Sequence, residues 1–188
     1  MIDDALDLRT AVFDVLGNAS RADQWPRIVK MAERRLNQVL RTNNQVTSAS
    51  ISMVDGAGTL PDDYVEMIVV GSTDRPYREV YTANYRPSLD VYDYAIEGRT
   101  IKAAVDANDL PITYYAALPT LANDLTASNW LLTLAPDVYL YAAICEALTS
   151  DPEAKQTYDG YYTRALAGLK TISNRQRFGN SNVRINAV

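Results

Sequence analysis

The stretch that decides the fold is Asn129-Trp130-Leu131-Leu132-Thr133-Leu134-Ala135-Pro136-Asp137-Val138-Tyr139-Leu140-Tyr141-Ala142-Ala143. Asn129 to Thr133 predicts a first turn or a short helix. Pro136 either kinks one long helix or opens a new one at its first position, and the second reading is preferred. Val138, Tyr141, Ala142, Cys145 and Leu148 follow at helical spacing. Almost every residue from Val138 to Cys145 is apolar, which predicts a helix buried on most sides. Asp151-Pro152-Glu153 then supplies a cap, a proline and an acid for a last helix. Its apolar stripe is Tyr158, Tyr161, Tyr162, Ala165, Leu166, Leu169 and Ile172. The short connection from Thr149 to Asp151 makes the two an antiparallel pair.

Working outward, residues 3 to 17 read as a first helix. Asp3 and Asp4 suit its start, Ala5, Leu8, Val12, Val15 and Leu16 its stripe, and Gly17 its end. Ser20 or Asp23 can cap a second helix with Pro26 in its first turn. That helix has the stripe Trp25, Ile28, Val29, Ala32, Leu36, Val39 and Leu40, an exposed side of Arg27, Lys30, Arg34, Arg35 and Arg41, and a stop near Thr42 to Asn44. The period then changes from 3.6 to 2. Strands are predicted at Val46 to Val54, Glu66 to Val70, Tyr77 to Tyr81, Tyr92 to Ile96, Thr100 to Ala104 and Ile112 to Leu118. Between them lie turns at Leu60 to Tyr64, Glu97-Gly98-Arg99 and Asp106 to Asp109, and a helical turn in Thr82 to Leu89.

The expected fold class is therefore α+β. Two N-terminal helices and the C-terminal antiparallel helix pair form a helical bundle, from residues 1–44 and 119–177. A small antiparallel β-sheet or sandwich is inserted at residues 45–118. A flexible C-terminal tail of low apolar content follows at residues 178–188.

Composition removes several kinds of chemistry. The chain has 188 residues and no histidine, so Ser-His-Asp and Cys-His catalysis and His-type zinc sites are ruled out. One cysteine, Cys145, rules out an internal disulfide and a multi-cysteine zinc site. It lies in an apolar run beside Glu146, which suits a buried core thiol and not a reactive one. No run of about 18 apolar residues suggests a membrane span. The acidic start Met1-Ile2-Asp3-Asp4 does not read as a signal peptide, so synthesis in a cytoplasm is expected. No catalytic residue, cofactor or metal ligand is assigned.

Charge is unevenly placed beneath a net −5. Residues 1–20 carry −3, residues 21–41 carry +4, residues 42–159 carry −11, and residues 160–188 carry +5 with no acid at all. Complementary zones suit docking to copies of the chain or to a charged partner. The plainer reading is basic residues on solvated helix faces and at helix C-termini. The thirteen tyrosines also favour association, because tyrosine gives rigid, amphipathic contact area. In Tyr114–Tyr115 and Tyr161–Tyr162, one ring of each pair is expected in the core and the other outside.

The remaining acids offer little chemistry. Asp62, Asp63 and Glu66 are the densest cluster and read first as turn-capping and exposed acids, with a magnesium or acid–base site as the sharper alternative. Asp90 and Asp93 read as loop acids. Gly56-Ala57-Gly58 lacks the Lys-Ser/Thr and helix of a phosphate loop. The basic second helix lacks a helix-turn-helix signature, and the chain is acidic overall, which argues against sequence-specific DNA binding.

The order of several motifs resembles the head-to-tail adaptor (connector) proteins of tailed bacteriophages. The stretch from Asn129 to Ala143 is similar to that family's N-W-L-L-x-x-x-P-D-x-Y-L-Y-G/A-A run. It is followed by an acidic turn like Ser150-Asp151-Pro152-Glu153, a tyrosine-bearing last helix and an end like Arg175-Gln176-Arg177-Phe178-Gly179. Upstream, Leu60-Pro61-Asp62-Asp63-Tyr64, Tyr94-Ala95-Ile96-Glu97-Gly98 and Ile112-Thr113-Tyr114-Tyr115-Ala116 resemble its other elements. The resemblance implies a virion neck protein, with no enzymatic role. It implies a homo-oligomer ring of about twelve copies, a dodecamer, under the portal protein. Such a ring continues the DNA ejection channel, passes genomic DNA without sequence-specific binding, and offers a platform to tail, nozzle or tail-hub proteins. It also implies that the C-terminal segment engages the portal, which points to Arg175, Arg177, Phe178 and Arg184. The alternatives are another neck or tail-completion protein, or a carboxylate-dependent virion-associated glycan hydrolase.

Overall fold

The structure, a computed structural model, describes residues 2–17, 23–72, 74–88, 92–104, 109–149 and 151–178, with the side chains of 176–178 left outside that description. The expected turn at Asp106 to Asp109, the cap at Ser20, Asp90 and the tail beyond Phe178 therefore lie wholly or largely outside the described residues. The chain is mixed α+β. It divides into two compact units, Met1–Asn44 with Leu118–Val188, and Gln45–Ala117.

Among the described residues the first unit contains five α-helices: α1 (Ala5–Leu16), α2 (Trp25–Val39), α3 (Trp130–Leu134), α4 (Pro136–Ala147) and α5 (Pro152–Phe178). Their ends follow the expected chemistry. Asp4 caps α1 by accepting from the Asp7 N–H at 2.9 Å, and Gly17 closes it in the left-handed region at φ 60°. Asn129 caps α3 by accepting from the Leu132 N–H at 3.0 Å. Pro136 opens α4 as a new helix. Asp151 accepts from the Ala154 N–H at 3.0 Å at the start of α5. The start of α2 is different: Gln24 occupies the cap position with no side-chain bond, and Asp23 does not cap it.

Helix α4 packs against α1, α2, α3 and α5. Val138, Tyr139, Ala142, Ala143, Ile144 and Cys145 are all fully buried, so it is buried on most of its sides. The core is completed by Leu8, Val12 and Phe13 of α1, by Trp25, Ile28, Val29 and Leu36 of α2, and by Tyr162 and Leu169 of α5. Several predicted stripe positions face out instead: Val15, Val39 and Ile172 are exposed, and of the pair Tyr161–Tyr162 the first is outside and the second buried, as expected.

Two polar side chains of α2 hold the segment that returns to this unit at Leu118. The Glu33 carboxylate is 6% exposed. Its Oε1 accepts from the Leu121 N–H and from the Tyr139 hydroxyl, each at 2.7 Å, and its Oε2 accepts from the Thr120 hydroxyl at 2.7 Å. One turn further on, Asn37 Oδ1 accepts from the Leu118 N–H at 2.9 Å. Asn129 Nδ2 donates to the Pro119 carbonyl at 2.9 Å. The first turn of α1 joins in, because the Ala5 and Leu6 N–H groups donate to the carbonyls of Ala127 and Leu125. The loop is thus fixed through helix groups that would otherwise be unpaired.

Arg35, expected on the exposed side of α2, is a correction. It is half-buried, 2.7 Å from Asp159 of α5, 3.5 Å from Glu146 of α4 and 4.3 Å over the Tyr162 ring. Burial alone works against the Asp159 charge. The donors Arg35 and Cys145 outweigh it and hold that carboxyl below its usual range. Burial, followed by the Asp159 carboxylate, pushes the Cys145 thiol up to about 12, as suits a core thiol.

Among its described residues the second unit has two four-stranded sheets. One has the order β1-β8-β3-β4, from β1 (Val46–Ser52), β8 (Asp109–Ala116), β3 (Tyr64–Ser72) and β4 (Arg75–Pro76). The other has the order β2-β7-β6-β5, from β2 (Ala57–Thr59), β7 (Thr100–Ala103), β6 (Asp93–Glu97) and β5 (Arg78–Glu79). Ile51, Val70, Leu110, Ile112 and Tyr114 of the first share a core with Tyr94, Ile101 and Ala103 of the second. Of the expected antiparallel sheet or sandwich, two antiparallel-rich sheets form, with more strands than the six predicted. The β5–β6 pair is parallel, and β2, β4 and β5 are only two or three residues long, too short to leave a periodic signal. The β6–β7 hairpin turns at Gly98 as predicted. Tyr114 and Tyr115 are both buried, against the expectation that one would be outside.

Two tests follow from the helical unit. Glu33→Ala strips a buried acceptor from three donors and should cost roughly 3–5 kcal/mol in urea unfolding, against about 1–2 kcal/mol for Tyr139→Phe. Asp159→Asn should cost at most about 1 kcal/mol at neutral pH, since both partners of the pair are partly exposed. Because the folded Asp159 pKa lies below its unfolded value, that difference is present at neutral pH. It disappears as pH falls through the folded pKa, and matched unfolding curves from pH 7 to pH 3 would record the loss.

Candidate docking surface

The outer half of α5 gathers the features expected of a contact surface. From Gly160 onward it contains no acid. Arg164, Lys170 and Arg175 are exposed and make no ion pair among the described residues. Tyr161, Ala165, Gly168, Ile172 and Arg175 recur at intervals of four and three, so they fall on one face of the helix. Tyr161 is 49% exposed and Ile172 is 42% exposed.

A groove of about 540 Å³ lies along this face. Leu134, Ala135, Asp137 and Tyr141 of the α3–α4 segment form one wall, and Tyr161, Arg164, Gly168 and Ile172 line the α5 side. Tyr141, Tyr158 and Tyr161 cluster at one end, with ring centroids 5.5 to 6.3 Å apart. The groove is open at Gly168, where an added Cβ would meet no atom within 4 Å. Asp137 sits in the first turn of α4, where the helix dipole favours its charge.

Of the residues picked for the portal contact, Arg175 is described and exposed on α5. Arg177 and Phe178 continue that helix, one residue beyond its expected end, with side chains outside the described set. Arg184 lies outside the described residues. The groove itself was not foreseen. Its signal in the sequence is the four-three spacing from Tyr161 to Arg175, of which Tyr161, Ala165 and Ile172 read as part of the apolar stripe.

The other candidates are occupied by local pairing. Asp62 meets Arg99 at 2.7 Å, and Asp63 accepts from the Tyr114 hydroxyl at 2.9 Å. Burial, with Asp63 second, pushes the Tyr114 phenol up to about 12. Asp93 pairs with Arg78 at 3.1 Å. Among the described residues no group of three or more Cys, Asp or Glu side chains is arranged to hold a metal. Gly58 serves packing, since a Cβ there would lie 2.4 Å from the Ile51 side chain.

Gly160 and Gly168 have open space where a Cβ would go. Each change to alanine should therefore raise stability by about 0.5–1 kcal/mol in thermal or urea unfolding. A loss would mean that these positions already touch something.

No curated protein matches the chain. The model of one family, SU10 adaptor protein, matches residues 3–185, nearly the whole length. The chain therefore belongs to the SU10 adaptor protein family of phage head-to-tail adaptors.

Proposed function

We propose that the chain assembles as a ring, a dodecamer, beneath the portal protein of the filled head. There it continues the DNA channel and offers the next surface to tail, nozzle or tail-hub proteins. Membership of the adaptor family across residues 3–185 is the observation that carries this reading. Family membership makes the chain a structural virion component that associates with head and tail proteins. No helix among the described residues is long and apolar enough to cross a membrane.

The charge pattern supports the same reading. The β unit, Gln45–Ala117, carries eleven acids against five bases. An acidic wall repels phosphates, which suits DNA that must pass without sticking. The basic end of α5, at Arg175 and Arg177, with Phe178 and Arg184 beyond, suits an acidic surface of the portal.

The test is to mix purified chain with purified portal and weigh the products by native mass spectrometry. The expected result is a monomer or small oligomer alone and a ring on the portal. Arg177→Glu with Arg184→Glu should weaken that capture at least about tenfold, with unchanged circular dichroism. No binding of the unmodified chain to the portal overturns the proposal. A stable free dodecamer overturns the order of assembly.

A further inference from the structure

Two exposed faces of the helical unit are complementary and unused. The first is the α5 groove, lined by Arg164, with Arg175 three residues past its Ile172 end on the same helix face; the two arginines are eleven residues and therefore about 17 Å apart. The second is the outer face of α1. Asp3, Thr10 and Asp14 are exposed there, and Leu6 and Val15 flank them, 41% and 45% exposed. Asp7 belongs to the same face. None of these acids forms a salt bridge among the described residues. The opposite side of α1, with Leu8 and Val12, is buried in its own core.

The geometry points to a contact in which α1 of one copy lies in the α5 groove of the next. This deepens the ring reading above and rests on it. Sizes agree: α1 has twelve residues and is roughly 18 Å long, and the groove face from Tyr161 to Ile172 spans about 17 Å. The α5 side of the groove is basic, with one acid, Asp137, in the opposite wall. The acids of α1 are gathered toward its two ends, at Asp3 and Asp7 and at Asp14, and the free arginines of the groove face are spaced over nearly the same length. At Gly168 a Cβ would meet no atom within 4 Å, so the face has open room there beside a second helix. Leu6 and Val15 of α1 and Tyr161 and Ile172 of α5 are the exposed apolar groups that such a contact would cover.

Within one copy both helices pack on α4 through their other faces. The two partner surfaces are therefore different patches of one molecule. A contact between unlike patches repeats from copy to copy, and it closes into a ring when the rotation allows.

The experiment uses the full chain at millimolar concentration. One preparation carries Thr10→Cys, the other Gly168→Cys; both sites are exposed, and native Cys145 is buried and silent. A short bis-maleimide is added to each alone and to the mixture. The expected result is a covalent pair abundant in the mixture and scarce in either preparation alone. Adding Arg164→Glu and Arg175→Glu to the Gly168→Cys chain should lower that yield about tenfold or more, and Asp3→Lys with Asp14→Lys on the other chain should restore it.

Absence of the mixed pair overturns the contact, and so does a failure of the swapped charges to restore it. If portal protein shields Gly168→Cys while no mixed pair forms, the groove belongs to the portal and the inference fails, though the adaptor reading stands. If the mixed pair forms but no ring appears on the portal, the contact stands and the ring reading fails.

Discussion

The Glu33 carboxylate, buried and accepting three hydrogen bonds, is the interaction on which the helical unit depends. The chain leaves this unit near Asn44 and comes back at Leu118. A returning segment has no local reason to find its place. It carries exposed amide groups that would be costly to bury unpaired. Glu33 satisfies Leu121 and Thr120 and at the same time fixes Tyr139 in the first turn of α4. Asn37 and Asn129 complete the fastening. A charged group held this way resists replacement singly, because any one loss leaves a buried partner unpaired.

That fastening leaves other surfaces free for assembly. The core uses one face each of α1, α2 and α5 against a helix buried on most sides. The outward faces then differ in sign: acids on α1, bases on the outer half of α5 and on Arg27, Lys30 and Arg34 of α2. A subunit of this kind is a stable core carrying unlike charged faces, as suits a piece that must meet different neighbours on different sides.

Much of this was legible beforehand. The caps at Asp4 and Asp151, the new helix at Pro136, the buried α4 and the hairpin at Gly98 follow from local chemistry that the residues state directly. The adaptor family was legible from the order of motifs between Leu60 and Gly179. What escaped depends on contacts between distant residues. Glu33 and Arg35 sit in a helix rich in charge, and nothing nearby tells which charges turn inward. The strands β2, β4 and β5 are defined by their partners and not by any periodic pattern. The α5 groove was hidden because Tyr161 and Ile172 read as part of the apolar stripe, and only the packing of α4 shows which residues of that stripe are left outside.

The most direct measurement is a reconstruction of the neck of the purified virion at side-chain detail. The account predicts density for this chain between portal and tail, with α5 ends toward the portal and α1 of each copy against α5 of its neighbour. A neck without this chain, or with this chain as isolated copies out of contact with the portal, would contradict it.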